Sequence, residues 1–265
     1  MHAQAYTIAD SVKVLSLLKE GEQMLSQEKT KIIAAQYFGD AFRLAGNIGF
    51  YKGQGEALRL FAIQEVQQKS SYNNEAMHYF IQSLRVWQAL NNPYQIAKTY
   101  ILLGDTFADK WYYYSEGLGY YKQALILMRR LGKVTEINSL LFKMTHINLK
   151  IGNITQATEY SEPLFEYYQK NNLYEATIKL KLSIAQYWAD RQAYQYAQEI
   201  AQEAIKDYEA HGGTAKQFAK QMQNMEESKA HSNYISPERI VLMCITAFVV
   251  VGIVIASYFY ARRQV

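Results

Sequence analysis

The sequence predicts an all-α fold built from about five helical hairpins and followed by a single transmembrane helix. Proline is scarce, with 3 in 265 residues, whereas Ala, Leu, Gln, Glu and Lys, which favour helices, are abundant. A pattern of small and aromatic residues recurs with a period of about forty residues, as in helical-repeat proteins. Residues 240–260 form an uncharged run of 21 residues. A helix of that length spans about 30 Å, the thickness of a bilayer's hydrocarbon core.

The repeating pattern consists of a small residue, a small or aromatic residue four positions later, and a small residue three positions after that. These spacings place the three side chains on one face of a helix, where small side chains allow a second helix to approach closely. The third members lie 42, 41, 40 and 40 residues apart. The five triplets are Ala34, Phe38 and Ala41; Ala76, Phe80 and Ser83; Gly117, Tyr121 and Ala124; the weaker Ala157, Ser161 and Leu164; and Ala197, Ala201 and Ala204.

Helix-breaking residues follow each triplet with the same period. Gly and Asn end helices in the left-handed conformation, and Pro93 fits the first turn of the helix that follows. Each unit between breakers is therefore expected to contain two helices joined by a short turn, and Pro163 is expected to kink the second helix of the fourth unit. The breakers are Gly46-Asn47, Asn91-Asn92, Gly132-Lys133, Asn171-Asn172 and Gly212-Gly213.

These residues resemble the tetratricopeptide repeat (TPR) family, in its long-repeat form, over roughly residues 12–212. In that family the first helix of each hairpin carries a bulky residue, then Leu-Gly or Leu-Ala, then an aromatic residue. The resemblance implies a right-handed superhelix, an α-solenoid, whose first helices line a groove that binds a protein or peptide. The matching residues are Tyr100, Leu103-Gly104 and Phe107 in the third unit and Ile184-Ala185 and Trp188 in the fifth.

The family register assigns groove-facing residues on the first helices of three units. Their mixture of charged and apolar side chains suits an extended peptide or a partner helix, although each position is also compatible with an ordinary solvated face. The lysine-and-asparagine clamp of chaperone-binding members is not reproduced, so binding of chaperone tails is not expected. The predicted groove residues are Lys98, Ile101, Asp105, Asp109, Phe142, His146, Lys150, Lys179, Gln186 and Asp190.

Motifs for catalysis, cofactors or metals are not recognisable. Gly53-Gln-Gly55 and Gly117-Leu-Gly119 lack the third glycine of a nucleotide-binding loop, and the five histidines have no metal-ligand spacing. A net charge of +4 gives no strong field for nucleic acid. The aromatic run from Trp111 to Tyr114 is compatible with helix packing or with a platform for a peptide or glycan. We therefore expect a non-enzymatic interaction protein without cofactor or metal.

The C-terminal part of the sequence carries the predicted membrane anchor. Residues 213–237 are expected to form a connecting or capping helix and a linker, 238–261 the transmembrane helix, and 262–265 a short basic tail. Tyrosine and arginine near the end of the apolar run favour the headgroup layer. The predicted anchor residues are Ile240, Phe248, Gly252, Tyr260, Arg262 and Arg263.

Two membrane layouts remain open from the sequence. The positive-inside rule places Arg262 and Arg263 in the cytoplasm, so the repeats would lie outside a bacterial inner membrane. Ala3-Gln4-Ala5, which resembles the end of a removed leader, fits that layout. The arrangement resembles the sensor half of bacterial membrane signalling proteins and predicts the sensing or binding part of a signalling system. The alternative is a tail-anchored cytosolic adaptor that recruits partners to a membrane.

Overall fold

The computed structural model describes residues 8–27, 30–68, 72–218 and 223. These residues form ten α-helices, one π-helical turn and one 3₁₀ turn, without a β-strand among them. The predicted all-α class is therefore confirmed. The chain folds as two compact units, one ending at Leu164 and the other beginning at Phe165.

The first unit is a series of consecutive helical hairpins. Its helices are α1 (Ile8–Leu25), α2 (Lys31–Asn47), α3 (Tyr51–Gln68), α4 (Asn74–Ala89), α5 (Pro93–Asp105), α6 (Tyr114–Arg130) and α7 (Val134–Ile151). The helices α1 and α2, α3 and α4, and α5 and α6 pack as hairpins, and each second helix also packs on the first helix of the next hairpin. A π-helical turn, Thr106–Lys110, extends α5. Helix α8 (Ile154–Lys170) begins in this unit and ends in the second.

The second unit is built around one further hairpin, formed by α9 (Tyr174–Ala189) and α10 (Tyr194–Ala210). The 3₁₀ turn Ala215–Phe218 follows α10. Phe218 is buried against the hairpin, with its ring centroid 5.7 Å from that of Tyr208. Apart from residue 223, the part of the predicted connecting or capping segment after Phe218 lies outside the described residues, so that role stays a prediction.

The recurring triplets occupy the second helix of each hairpin, namely α2, α4, α6, α8 and α10, and every member is buried. At Gly117 the backbones of α5 and α6 approach so closely that an added Cβ would lie 3.1 Å from the Gly104 carbonyl oxygen. The packing face predicted from spacings of four and three is therefore confirmed.

Left-handed backbone conformations end most hairpins where the sequence predicts breakers. Positive φ angles occur at Asn91 (48°), Gly132 (65°), Asn172 (56°) and Gly212 (84°). After α2 the left-handed residue is Gly49 (φ 71°), because the helix continues through Asn47. Helix α8 runs without a break through its internal proline.

The structure corrects the predicted membrane location. In the stretches that the structure describes, no helix is both long and apolar enough to cross a bilayer. The longest described helices, α1, α3 and α7, have 18 residues each and carry charged side chains. The predicted single-pass location, with repeats either extracytoplasmic or facing the cytosol, is contradicted by this finding, and we withdraw it together with the lipid bilayer as a partner. The predicted transmembrane helix, residues 238–261, and the predicted basic tail, 262–265, lie outside the described residues.

Candidate functional site

A cavity of about 340 Å³ opens on the face of the first unit to which the first helix of each hairpin contributes. Side chains from α1, α3, α5 and α7 line it, and we term it the first-helix cavity. Its apolar lining consists of Leu60, Ile63, Ile101 and Leu102. Its polar and charged lining consists of Glu22, Glu56, Arg59, Tyr94, Lys98 and Glu136.

Helical spacing explains why these side chains meet in one place. On α5, Tyr94, Lys98 and Ile101 are four and three residues apart, so they project from one face of the helix. On α3, Arg59 and Ile63 are related in the same way. Because successive first helices lie side by side, their matching faces combine into one lining.

Arg59 is the most deeply buried charge of the cavity. It forms an ion pair with Glu56, one turn earlier on α3. Its Nη1 also donates a hydrogen bond to Gln95 Oε1 of α5, at 2.8 Å. The backbone N–H of Gln95 in turn donates to the side chain of Asn92, which caps the start of α5. The guanidinium is therefore neutralised and held between two hairpins.

Tyr94 connects α5 with α7. Its hydroxyl donates to Glu136 Oε1 at 3.1 Å. This hydrogen bond, reinforced by partial burial and by the carboxylate's charge, raises the pKa of Tyr94, and Arg59 opposes the rise. Lys133 Nζ lies over the Tyr94 ring, 5.3 Å from its centroid. The tyrosine thus stays protonated and orients one carboxylate of the cavity.

A second polar cluster lies at the C-terminal end of α5. Tyr121 extends from α6 past Gly104, where an added Cβ would lie 2.3 Å from the tyrosine ring. Its hydroxyl donates to Asp105 Oδ1 at 2.5 Å, and Asp105 also forms an ion pair with Lys143 of α7. Burial first, and then the hydrogen bond to Asp105, raises the pKa of Tyr121. The cluster joins three helices through one carboxylate.

The pKa of His146 on α7, near this cluster, is also shifted so that the neutral form is favoured. Desolvation by the surrounding protein lowers the pKa of His146, the Lys150 ammonium lowers it further, and the Asp109 carboxylate opposes both effects. Asp109 lies on the π-helical turn, and Lys150 Nζ lies 6.0 Å from the ring centroid of Tyr114. This part of the face therefore contains acidic groups from the end of α5 and basic groups from α7.

Seven of the ten predicted groove residues lie in the first unit, and they fall into two groups. Lys98 and Ile101 line the first-helix cavity. The others lie outside its lining, at the end of α5, on the π-helical turn or on α7, where Phe142 is half-buried: Asp105, Asp109, Phe142, His146 and Lys150.

The remaining predicted groove residues belong to the second unit and have local partners. Lys179 forms an ion pair with Glu175 one turn earlier on α9, at 2.5 Å. Gln186 donates from Nε2 to Asp190 Oδ1 at 2.7 Å. The idea that all ten residues share one groove stays a prediction.

Sequence reasoning missed most of the charged lining of the first-helix cavity. Glu22, Arg59 and Glu136 come from α1, α3 and α7, and the family motif matches poorly in the first two hairpins. A usable signal existed on α3, where Arg59 stands between Leu58 and Leu60 in an otherwise apolar stretch and follows Glu56 by three residues. A charge in such a place requires a nearby partner.

The aromatic run after the π-helical turn divides into a buried and an exposed part. Trp111 is buried, with its ring centroid 4.9 Å from that of Phe107 and 4.7 Å from that of Tyr72. Tyr112 and Tyr113 are 67% and 47% exposed. Packing therefore accounts for Trp111, while the two tyrosines are surface residues. In the part of the chain that the structure describes, no cluster of three or more His, Cys, Asp or Glu could hold a metal ion.

Comparison with known proteins supports the fold alone. No family model matches the chain, and no curated protein matches it. The crystal structure of aspartyl phosphate phosphatase F from Bacillus subtilis is similar, with a TM-score of 0.58 and 18% identity, and the match covers 84% of this chain. The match covers 61% of that protein, so the chain spans about three fifths of its length. The described residues thus have a TPR-like helical-repeat fold, as the resemblance in sequence predicted.

Proposed function

We propose that the helical-repeat domain is a polypeptide-binding scaffold and that a partner segment docks in the first-helix cavity. The observation that carries this proposal is the lining itself, which combines four apolar side chains with charged groups from four first helices. An extended peptide or a partner helix presents alternating apolar and polar side chains to such a surface. The predicted role in sensing or signalling remains a hypothesis without further support.

The proposed mode of action is binding without catalysis by this chain. General acid–base catalysis works best with a pKa near the operating pH. In the cavity, the pKa of Tyr94 moves upward, away from neutrality, and its hydroxyl is engaged with Glu136. Arg59 is likewise engaged with Glu56 and Gln95. The phosphatase activity in the name of the similar solved structure belongs to that protein, and our proposal for this chain does not include it.

A charge placed in the cavity wall tests the proposal. Peptides would be selected from a random displayed library against the full chain, and their affinities measured by fluorescence polarisation. Ile101→Lys should weaken binding at least tenfold, because it places an ammonium group among apolar contacts and fills part of the cavity. Ile126→Lys is the matched control, since Ile126 is 47% exposed on α6 and does not line the cavity.

Circular dichroism melts would show that both variants remain folded. Selected peptides that bind the wild-type chain and both variants equally would remove the cavity as the docking site. A selection that yields no specific peptide would contradict the polypeptide-binding function itself.

A further inference from the structure

We infer that the first-helix cavity recognises a lysine or arginine side chain of the partner. This inference rests on the proposed function and specifies the chemistry of the occupant. It is carried by the charge balance of the lining, by the placement of apolar groups beside carboxylates, and by the engagement of the one buried cation.

The charge balance of the cavity favours a cation. Five charged groups line it, the carboxylates of Glu22, Glu56 and Glu136 and the cations of Arg59 and Lys98. The charges of Arg59 and Glu56 cancel each other, because the two side chains form an ion pair in the wall of the cavity. Two carboxylates then face one ammonium group, which leaves a negative charge in excess. Lys133, whose Nζ lies 5.3 Å from the centroid of the Tyr94 ring, is not part of the lining.

The two carboxylates that remain have acceptor capacity for a new donor. A carboxylate accepts up to about four hydrogen bonds. Glu136 accepts one from Tyr94, at 3.1 Å, and that bond fixes its direction. Glu22 is exposed on α1 and forms no ion pair with the described residues. An ammonium or guanidinium group that enters the cavity would find an acceptor at Glu22 or at Glu136, both of which line it.

The apolar lining suits the stem of such a side chain. Lysine and arginine bury their methylene stems along apolar surface while the charged head stays in a polar region. Leu60, Ile63, Ile101 and Leu102 supply that surface beside the carboxylates. A volume of about 340 Å³ lies at the lower end of ligand cavities, which are roughly 300–1,000 Å³, and fits a side chain with its flanking backbone.

An acidic side chain is disfavoured in the same place. Two of the five donors of Arg59 are engaged with Glu56 and Gln95, and the ion pair with Glu56 already balances the charge of the guanidinium, which weakens its attraction for an incoming carboxylate. Such a group would meet Lys98 alone and would be repelled by Glu22 and Glu136.

Three small probes of five carbon atoms each test the inference on the full chain. They are n-pentylamine, n-pentanol and pentanoate, which carry a positive, a neutral and a negative head. Titrations would follow the ¹³C-labelled δ1-methyl signals of Ile63 and Ile101, which line the cavity. We expect n-pentylamine to bind roughly fivefold more tightly than n-pentanol, as for a partly exposed ion pair, and pentanoate to bind most weakly.

A double variant, Glu22→Gln with Glu136→Gln, should abolish the preference for n-pentylamine over n-pentanol. Glutamine at position 136 keeps an acceptor oxygen for Tyr94, so the tie between α5 and α7 is retained. The matched control is Glu162→Gln with Glu166→Gln, which removes two exposed charges from α8 and should leave the preference unchanged.

Equal binding of n-pentylamine and n-pentanol, stronger binding of pentanoate, or no methyl shift with any probe would overturn the inference. These results separate it from the proposed function. Selected peptides that lose affinity on Ile101→Lys but tolerate replacement of every lysine and arginine by norleucine would leave the scaffold function standing and reject the cationic occupant.

Discussion

Gly104 decides how closely α5 and α6 approach, because the Tyr121 ring lies where a side chain at position 104 would begin. That close approach lets Tyr121 reach Asp105 at the end of α5, and Asp105 in turn holds Lys143 of α7. A single small residue thus allows one hydrogen bond and one ion pair to form between helices. At the residue scale, such contacts are more sensitive to substitution than the exposed charges around them.

Gly104→Ala is expected to destabilise the first unit. The new Cβ would lie 2.3 Å from the Tyr121 ring, and overpacking of this kind costs about 1–3 kcal/mol. Gly119→Ala on α6 is the matched control, because nothing lies within 4 Å of its Cβ and alanine favours a helix by up to about 1 kcal/mol. Urea denaturation should show opposite signs for the two variants; a loss of equal size in both would contradict the packing of Tyr121 at Gly104.

The ionisation of His146 should respond to its neighbours with opposite signs. Lys150→Gln should raise the pKa of His146, because the ammonium group lowers it, and Asp109→Asn should lower it. Since the folded pKa lies below the ordinary 6.5, the neutral histidine is the better-tolerated form in the folded state. Because the His146 side chain is exposed, solvent screens these effects and its contribution to stability is small; that contribution is present above about pH 6.5 and is lost as the pH falls through the folded pKa.

Histidine NMR titrations of the wild-type chain and of the two variants would measure these shifts. Lys98→Gln serves as control, because Lys98 is not among the groups that shift His146. An unchanged His146 pKa in both neighbour variants would contradict the described arrangement of α7 and the π-helical turn.

At the scale of the element, the packing faces of the second helices were predictable from the sequence, and those of the first helices only in part. The triplet spacing identifies packing faces because residues four and three positions apart lie on one face of a helix, and small side chains there let a second helix approach closely. The π-helical turn Thr106–Lys110 was not foreseen, since a hydrogen bond from Trp111 N–H to the Thr106 carbonyl five residues back leaves no compositional signal. The sequence predicted that Gly46-Asn47 would end α2, but the left-handed residue that follows this helix is Gly49, two positions later.

Ala124→Leu tests the packing face of α6 directly. Ala124 is fully buried between helices, so the larger side chain is expected to destabilise the chain by about 1–3 kcal/mol. Gln123→Leu, at the exposed neighbouring position, should change the stability little. Thermal melts that show equal midpoints for the two variants would contradict the assignment of Ala124 to the interface.

At the scale of the whole molecule, the sequence predicts the helical-repeat class more completely than the site. Repeated packing constraints act at many positions, so five approximate triplets suffice to define hairpins. The first-helix cavity, in contrast, depends on single side chains such as Arg59 and Glu136 on hairpins far apart in sequence. Lys98 and Ile101 were predicted as groove residues because the family motif is clear in the third hairpin. The other charged residues of the cavity were missed because the motif is weak in the hairpins that carry them.

The central claim is that a partner polypeptide docks in the first-helix cavity, and photo-crosslinking tests it most directly. A benzophenone amino acid would replace Ile101 in one sample and Ile126 in another, and each would be irradiated with the peptides selected on the full chain. Mass spectrometry should find the peptide attached at position 101, inside the cavity lining, and not at the exposed position 126. Attachment at position 126 alone, or at neither position while the peptide remains bound, would contradict the claim.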